Sequence, residues 1–293
     1  MVLDLEEHVC QPDTDERRKI LNWISRRNYW TNQSDYFGRA EEGTGQWLLD
    51  SLEYKNWLEG GKRFLWCHGE RKSQYLAGLI VLQPGSEKPF SGLFELVRLL
   101  NLRSSIVVDH LQKNFNGVDD VALACVYFNH KEDTIPTDII GTLLKQLLER
   151  NSNMSDEARA LYAAHKKRQT RPNLKELLQL LRTEASRIST VFIVLDALDE
   201  FSDTKNARAT ILLELRQIST VRVMITGRPH VENTVLSKLD DVSTTLIRAS
   251  DNDIRKYLDT QIEKSGFLLQ KMTADPSFRA TLIDQIVGNA DGM

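Results

Sequence analysis

The sequence predicts an α/β fold in which helices cover a parallel β-sheet on both faces, forming three layers. Strand-like and helix-like segments alternate from about residue 63 to residue 247, which is the pattern of a parallel sheet with crossover helices. The strand candidates are also short and mostly apolar, as expected for strands that are covered on both sides.

Five segments are predicted to form the strands of this sheet. They are Arg63 to Cys67, Val121 to Phe128, Val191 to Leu195, Val221 to Thr226 and Ser243 to Ile247. The segments between them carry helix signals. Asn173 and Glu176 have the spacing of a capping box, and apolar residues from Ile140 to Leu148 repeat at helical spacing. Another helix is predicted to begin at Ser250 and to end at Gly266.

Three regions are predicted along the chain. Residues 1–58 form a helical lead-in that is rich in aromatic side chains and ends with a helix from Gln46 to Leu58. Residues 59–249 form the sheet domain, and residues 250–293 form a helical extension. Because the extension stops directly after a helix, we expect the chain to be a fragment of a longer protein.

Composition excludes several classes of protein. The net charge of −3 provides no global basic field, so we expect no nucleic acid partner, although a local patch is compatible with this charge. The start of the chain lacks a signal peptide, and no apolar run approaches the roughly 20 residues that span a bilayer, so no membrane association is expected. Three widely spaced cysteines favour a reducing, cytoplasmic location.

An acidic group follows the third predicted strand. Val191 to Leu195 brings Asp196 to the carboxyl end of a buried strand, where P-loop NTPases hold magnesium. Asp199 and Glu200 come next, and either carboxylate is placed to polarise an attacking water. The alternative interpretation is an ordinary acidic turn.

Two other segments are candidates for contact with phosphate or base. Arg228 follows the next strand, beside the Asp196 strand, where it would neutralise a γ-phosphate unless it belongs to a simple surface turn. Gly43, Thr44 and Gly45 precede a helix, so their backbone amides would approach a ligand unless they only begin that helix.

Several motifs in one order resemble a known family. They are Gly-Thr-Gly-Gln-Trp-Leu-Leu from Gly43, Phe-Leu-Trp-Cys-His-Gly from Phe64, Ser105 to Leu111, Phe192 to Glu200, and Gly227-Arg228-Pro229. Together they resemble the NACHT-type NTPase module of fungal NOD-like receptors, also described as the nephrocystin-3-like N-terminal domain. The resemblance implies a P-loop NTPase-like fold and extends from about Glu16 to the end of the chain.

The resemblance implies a nucleotide-controlled signalling switch that binds Mg²⁺ with ATP or GTP and has protein partners. Asp196 would orient the metal, Asp199 or Glu200 would serve the water, and Arg228 would be the sensor arginine. Such proteins continue into ankyrin, WD40 or tetratricopeptide repeats and act in self/non-self recognition. The phosphate loop would begin at Gly69.

The sequence departs from this family at the phosphate loop. No stretch matches G-x-x-x-x-G-K-S/T, whose glycines, lysine and hydroxyl hold the phosphates and magnesium. Gly69 is followed instead by residues 71–103, which have no counterpart in the family. Lys88 within this segment is a poor substitute, because Glu87 repels phosphate and Pro89 lacks an amide donor.

We interpret residues 71–103 as foreign to the fold, the product of a splice or gene-model change. Sequencing the transcript across Gly69 to Ser104 tests this, and a normally abundant mRNA that encodes the whole segment contradicts it. The expected function is an NTPase-derived module with impaired nucleotide binding. An active hydrolase with an atypical loop, or a nucleotide-independent interaction module, are the alternatives.

Overall fold

The fold is built around a parallel sheet of five strands. This computed structural model describes residues 12–28, 30, 33, 45–69, 103–150, 153–247, 251–264, 270 and 273–291. The strands are β1 (Phe64–His68), β2 (Val121–Tyr127), β3 (Thr190–Asp196), β4 (Val221–Gly227) and β5 (Val242–Leu246). Their order across the sheet is β2-β3-β4-β1-β5. All five predicted strands are confirmed, with no end displaced by more than one residue.

The parallel register brings the carboxyl ends of the strands to one edge of the sheet. Leu195 pairs with Ile225, and His68 pairs with Gly227. The residues that follow β1, β3 and β4 therefore lie side by side, which is where ligands bind in open α/β sheets.

Helices flank the sheet. They are α1 (Pro12–Ile24), α2 (Gln46–Asp50), α3 (Leu52–Glu59), α4 (Arg103–Phe115), α5 (Pro136–Arg150), α6 (Asp156–Lys166), α7 (Leu174–Ser186), α8 (Ala207–Arg216), α9 (Glu232–Lys238), α10 (Asp251–Lys264) and α11 (Pro276–Asp291). The predicted α/β class is confirmed. The capping box at the start of α7 is also present, because Asn173 and Glu176 each accept a hydrogen bond from the other's backbone amide.

The helical lead-in shares its core with the sheet. Ile20, Leu48 and Trp57 belong to the same buried apolar cluster as the strands. The Trp57 ring packs edge-on against Phe192 of β3, with 5.1 Å between ring centroids, and Phe115 of α4 stacks on Phe192 at 5.4 Å. Burial of these rings anchors α3 and α4 to the sheet.

The prediction of one helix from Gln46 to Leu58 is wrong, because Ser51 divides it. The Ser51 backbone is extended (φ −63°, ψ 148°), and its hydroxyl accepts a hydrogen bond from the Tyr54 amide at 3.2 Å. Ser51 is therefore the N-cap of a second helix.

The prediction that the strands are covered on both faces is wrong for β5. Thr244 is exposed and Leu246 retains 39% of its accessible surface, because β5 lies at the edge of the sheet. Among the described helices, none combines the length and the apolar character that crossing a bilayer requires.

The other edge strand, β2, is hydrogen-bonded along part of its free edge by a side chain. Gln146 of α5 accepts a hydrogen bond from the Cys125 amide and donates one to the Cys125 carbonyl, both at 2.9 Å. Gln146 thereby occupies the place of a neighbouring strand at the middle of β2 and satisfies two buried backbone groups.

Several predictions concern residues outside the described part of the chain. They include the strand-like stretch Tyr75 to Leu82, the amphipathic stretch Ser91 to Leu102, the helix start at Ser250 and the helix end at Gly266. Gly43 and Thr44 lie outside it as well.

Candidate functional site

Four predicted site residues lie together at the carboxyl edge of the sheet. Asp196 is the last residue of β3, and Asp199 and Glu200 belong to the short 3₁₀ turn Leu198–Glu200 that follows it. Arg228 comes directly after β4, the strand beside β3. The adjacency of β3 and β4 therefore explains how residues that are distant in sequence meet.

A sharp backbone turn and one hydroxyl fix the end of β3. Ala197 adopts a left-handed conformation (φ 58°, ψ 49°), which costs a non-glycine residue of the order of 1 kcal/mol. The Ala197 amide donates a hydrogen bond to Oγ1 of Thr226 at 2.8 Å. Thr226 lies near the end of β4, so this contact ties the turn to the neighbouring strand.

Asp196 is a buried carboxyl group that accepts hydrogen bonds from hydroxyl groups. It is 8% exposed, and Thr226 Oγ1 donates to its Oδ1 at 2.6 Å. The hydroxyl of Ser104, in the first turn of α4, also hydrogen-bonds to it. Burial raises the pKa of Asp196 to about 6, and the neighbouring carboxylates of Glu200 and Asp199 add to the rise, whereas the two hydroxyl contacts oppose it.

Asp199 holds Arg228 through two contacts. Its Oδ1 accepts a hydrogen bond from the Arg228 backbone amide at 3.2 Å, and its Oδ2 lies 3.1 Å from the Arg228 Nε. The Asp199 side chain is only 6% exposed, whereas that of Arg228 is 41% exposed. The buried carboxylate is thus compensated by a guanidinium group whose outer part contacts solvent.

Glu200 faces a different neighbour. Its Oε2 lies 3.4 Å from both the backbone nitrogen and the Nδ1 of His130, in the loop after β2. Arg208 of α8 fixes the turn that carries both acids. Its guanidinium group donates to the carbonyls of Asp199 and Phe201, each at 2.9 Å. The two acids therefore point to different partners from one rigid turn.

Two of the predicted glycines, Gly69 and Gly45, have backbone amides that donate to other groups of the protein. Gly69 follows β1, donates its amide to the Gly227 carbonyl at 3.3 Å, and leaves no room for a Cβ, which would lie 2.9 Å from the Ile247 carbonyl oxygen. Gly45 has a positive φ of 75° and donates its amide to Asp253 of α10 at 3.3 Å. Both amides are therefore engaged with the protein itself.

Sequence reasoning missed the hydroxyl residues that contact Asp196. Ser104 begins a helix that follows the predicted insert, and nothing in its local pattern points to β3. Thr226 had a usable signal, because the neighbouring strand was expected to end beside Asp196 and Thr226 is its last predicted residue. His130, which contacts Glu200, lies in a loop without a motif.

In this site, the carboxylates of Asp196 and Asp199 are bound by hydrogen-bond donors of the protein itself. Asp196 accepts from hydroxyl groups, and Asp199 accepts from Arg228. Within the described ranges, no three His, Cys, Asp or Glu side chains come together in a way that would hold a metal ion. Asp196, the predicted metal ligand, is therefore not part of such a group of three among the described residues.

Comparison with known proteins identifies one part of the chain. Residues 102–228, which carry β2, β3, β4 and the acidic group, match the family described as Nephrocystin 3, N-terminal. This match covers less than half of the chain. No curated protein matches the chain significantly.

Several solved structures are distantly similar to this chain, including two that contain DNA. The Aeropyrum pernix ORC1 protein in complex with DNA is 16% identical with a TM-score of 0.38, and the match covers 75% of this chain and 48% of that chain. This chain thus spans about half the length of that protein. A chain of Drosophila ORC bound to AT-rich DNA and Cdc6 is 12% identical with a TM-score of 0.34, and the match covers 93% of this chain and 84% of that one.

The DNA in these two structures contrasts with the expectation that this chain has no nucleic acid partner. It belongs to those proteins, however, and similarity at such low TM-scores carries no argument about this chain. The match to the nephrocystin family rests on the sequence itself and includes the strand that ends in Asp196. Over residues 102–228, the resemblance expected from the motifs is confirmed, and this part of the chain is similar to the family described as Nephrocystin 3, N-terminal.

Proposed function

We propose that this chain is the switch module of a fungal NOD-like receptor-type protein and that its binding of Mg²⁺ and ATP or GTP is impaired. In this role it transmits a signal by contacts with other proteins in the cytoplasm. The proposal combines the nephrocystin-3-like domain with the closed contacts around Asp196.

One observation carries the proposal: the groups that would face magnesium and phosphate, Asp196 and Arg228, are already engaged by other residues of the protein. Asp196 accepts from Thr226 and Ser104, and Asp199 holds Arg228. Magnesium prefers an ionised, accessible carboxylate with further oxygen ligands or waters. Asp196 is only 8% exposed and already accepts hydrogen bonds from Thr226 and Ser104, so its carboxylate has little accessible surface for a metal ion.

The sequence around the expected phosphate loop also supports impairment. No G-x-x-x-x-G-K-S/T occurs in the 293 residues, and the family match begins at residue 102, next to the segment 71–103. Without the lysine and the amides of such a loop, little in the chain would hold the outer phosphates.

Titration of the purified chain with fluorescent analogues of ATP and GTP tests the proposal. We expect no saturable binding up to about 1 mM nucleotide with magnesium in excess, equivalent to less than about 4 kcal/mol of binding free energy. Asp196→Ala should give the same flat titration as the unaltered chain.

An active hydrolase with an atypical loop remains the alternative, favoured by the convergence of Asp196, Glu200 and Arg228 at one edge of the sheet. Saturable binding in the unaltered chain that disappears in Asp196→Ala would establish that alternative and refute the proposed impairment. Binding that survives the substitution would also refute impairment but would locate the nucleotide elsewhere.

A further inference from the structure

A positively charged groove lies between α1 and α6 and shares no residue with the Asp196 site. Its volume is about 730 Å³. Trp23, Tyr162 and His165 form its aromatic wall. Its cationic side chains are Arg18, Lys19, Arg26, Lys166 and Arg171, and its lining contains one acid, Asp15.

The cationic character of the groove is local. The chain as a whole carries a net charge of −3, whereas residues 166–171 read Lys-Lys-Arg-Gln-Thr-Arg. Asp15 forms ion pairs with Arg18, at 2.6 Å, and with Lys19. Within the described part of the chain, Arg26, Lys166 and Arg171 form no ion pair, so their charges are available to an anionic partner.

The aromatic wall is held in place by the protein. Trp23 Nε1 donates to the Thr170 carbonyl at 2.8 Å, and the Trp23 ring packs edge-on against Tyr162 with 5.3 Å between centroids. The Lys166 ammonium group lies 5.7 Å from the centre of the Tyr162 ring. Both rings are partly exposed, so a planar group that enters the groove meets aromatic surface beside positive charge.

We propose that this groove binds single-stranded nucleic acid, a function separate from that of the Asp196 site. Phosphates contact Arg26, Lys166 and Arg171, and a base packs on Tyr162. Proteins that bind single strands without sequence preference combine a positive groove with aromatic side chains in this way. The unpaired cations also supply the release of counterions that drives such binding.

The groove fits this partner better than an anionic membrane. None of the large exposed apolar side chains among the described residues lines it, and its surface is concave, so it offers nothing to insert between lipids. An acidic peptide without aromatic side chains would use the cations but would have no ring to stack on the aromatic wall. A nucleotide uses both features, because its phosphate contacts the cations and its base stacks on the aromatic wall.

The test measures fluorescence anisotropy of a labelled oligothymidylate of about 20 nucleotides with the full chain, at salt concentrations from about 50 to 200 mM. The groove variant is Arg26→Glu with Lys166→Glu. The matched control is Lys55→Glu with Lys131→Glu, which changes the net charge equally at two exposed lysines outside the groove. Tyr162→Leu and Tyr162→Phe test the aromatic contribution.

We expect the control to bind as the unaltered chain does and the groove variant to bind at least about tenfold more weakly. Because each phosphate contact on a single strand contributes about 0.7 to the slope of log affinity against log salt, the groove variant should lose roughly 1.4 of that slope. Tyr162→Leu should weaken binding at least about fivefold with little change in slope, whereas Tyr162→Phe should not.

Equal weakening by the groove and control variants would overturn the proposal, because binding would then depend only on the net charge of the protein and not on the groove. Absence of oligonucleotide binding by the unaltered chain would overturn it as well. In that case, parallel measurements with phosphatidylserine vesicles and with polyglutamate show which other anion the groove takes.

Discussion

At the scale of single residues, Asp196 determines how the candidate site responds to pH. Its folded-state pKa of about 6 lies above the unperturbed value of 3.8, so the folded chain binds a proton more tightly than the unfolded chain. The corresponding stability is fully present below about pH 4 and is lost as pH rises through 6. Above that pH, the fold holds a buried negative charge.

Asp196→Asn is therefore expected to stabilise the protein in a pH-dependent manner. The amide resembles the protonated carboxyl group and carries no charge. The gain in the free energy of unfolding should be small near pH 4 and should reach the order of 2–3 kcal/mol at pH 8, since one pKa unit is worth about 1.4 kcal/mol. Urea unfolding at a series of pH values measures it.

Asp119→Asn is the control for this substitution, because Asp119 is an exposed acid in the loop before β2. Its effect should be small, within about 0.5 kcal/mol. A gain from Asp196→Asn that stays constant between pH 4 and pH 8 would mean that Asp196 does not titrate in this range.

At the scale of secondary-structure elements, the edge of β2 depends on Gln146. This side chain satisfies both the amide and the carbonyl of Cys125 while it is 6% exposed. Gln146→Leu keeps most of the volume but leaves two buried backbone groups without partners. We expect a loss of about 2–4 kcal/mol in unfolding free energy, since each such group costs about 1–3 kcal/mol.

Thermal and urea unfolding of Gln146→Leu measure this loss, with Gln112→Leu on the exposed face of α4 as the control. The control should change stability by less than about 0.5 kcal/mol. Similar effects of the two substitutions would show that the Gln146 contacts with β2 contribute little. An increase in self-association of Gln146→Leu alone would further indicate that the strand edge has opened.

The elements themselves were largely predictable from the sequence. Short apolar runs identified β1 to β4 because most of their side chains are buried, and the spacing of Asn173 and Glu176 identified the start of α7. The segment of β5 was also predicted, although only one of its five side chains is buried. The division at Ser51 was not predictable, because the apolar pattern continues through it and a serine begins a helix only where the backbone is extended. The exposure of β5 depends on strand order, which the pattern does not contain.

The candidate site was predictable only in its acids and its arginine. Asp196, Asp199 and Arg228 follow apolar runs, so their place at the carboxyl edge follows from the strands. Their partners were not predictable, because contacts such as Ser104 with Asp196 join segments that are far apart in sequence. The adjacency of β3 and β4 was expected from the sequence, but the contact of the Asp199 carboxylate with Arg228 was not, because the expected partner of Arg228 was a phosphate.

At the scale of the whole molecule, α1 to α3 and the sheet belong to one core. Ile20 of α1 is 1% exposed and lies in the same apolar cluster as Trp57 and the strands. Arg17 also donates to the carbonyl of Glu149 at the end of α5, at 2.9 Å. The N-terminal helix is therefore expected to unfold together with the sheet.

Ile20→Ala should lower the free energy of global unfolding by about 2–4 kcal/mol, because it leaves a cavity in the shared core. Circular dichroism and tryptophan fluorescence should report coincident urea transitions for both proteins. Leu52→Ala, at a side chain that is 70% exposed, is the control and should have little effect. A separate early transition would show that α1 is an independent unit.

The position of Thr226 between two chain segments has a further consequence for the proton on Asp196. The Thr226 oxygen accepts from the Ala197 amide, so the single hydroxyl hydrogen is directed towards Oδ1 of Asp196. Oδ1 is then engaged as an acceptor, which favours Oδ2 as the oxygen that takes up the proton of Asp196. A threonine that takes no part in the titration thereby makes the two oxygens of a buried carboxyl group inequivalent.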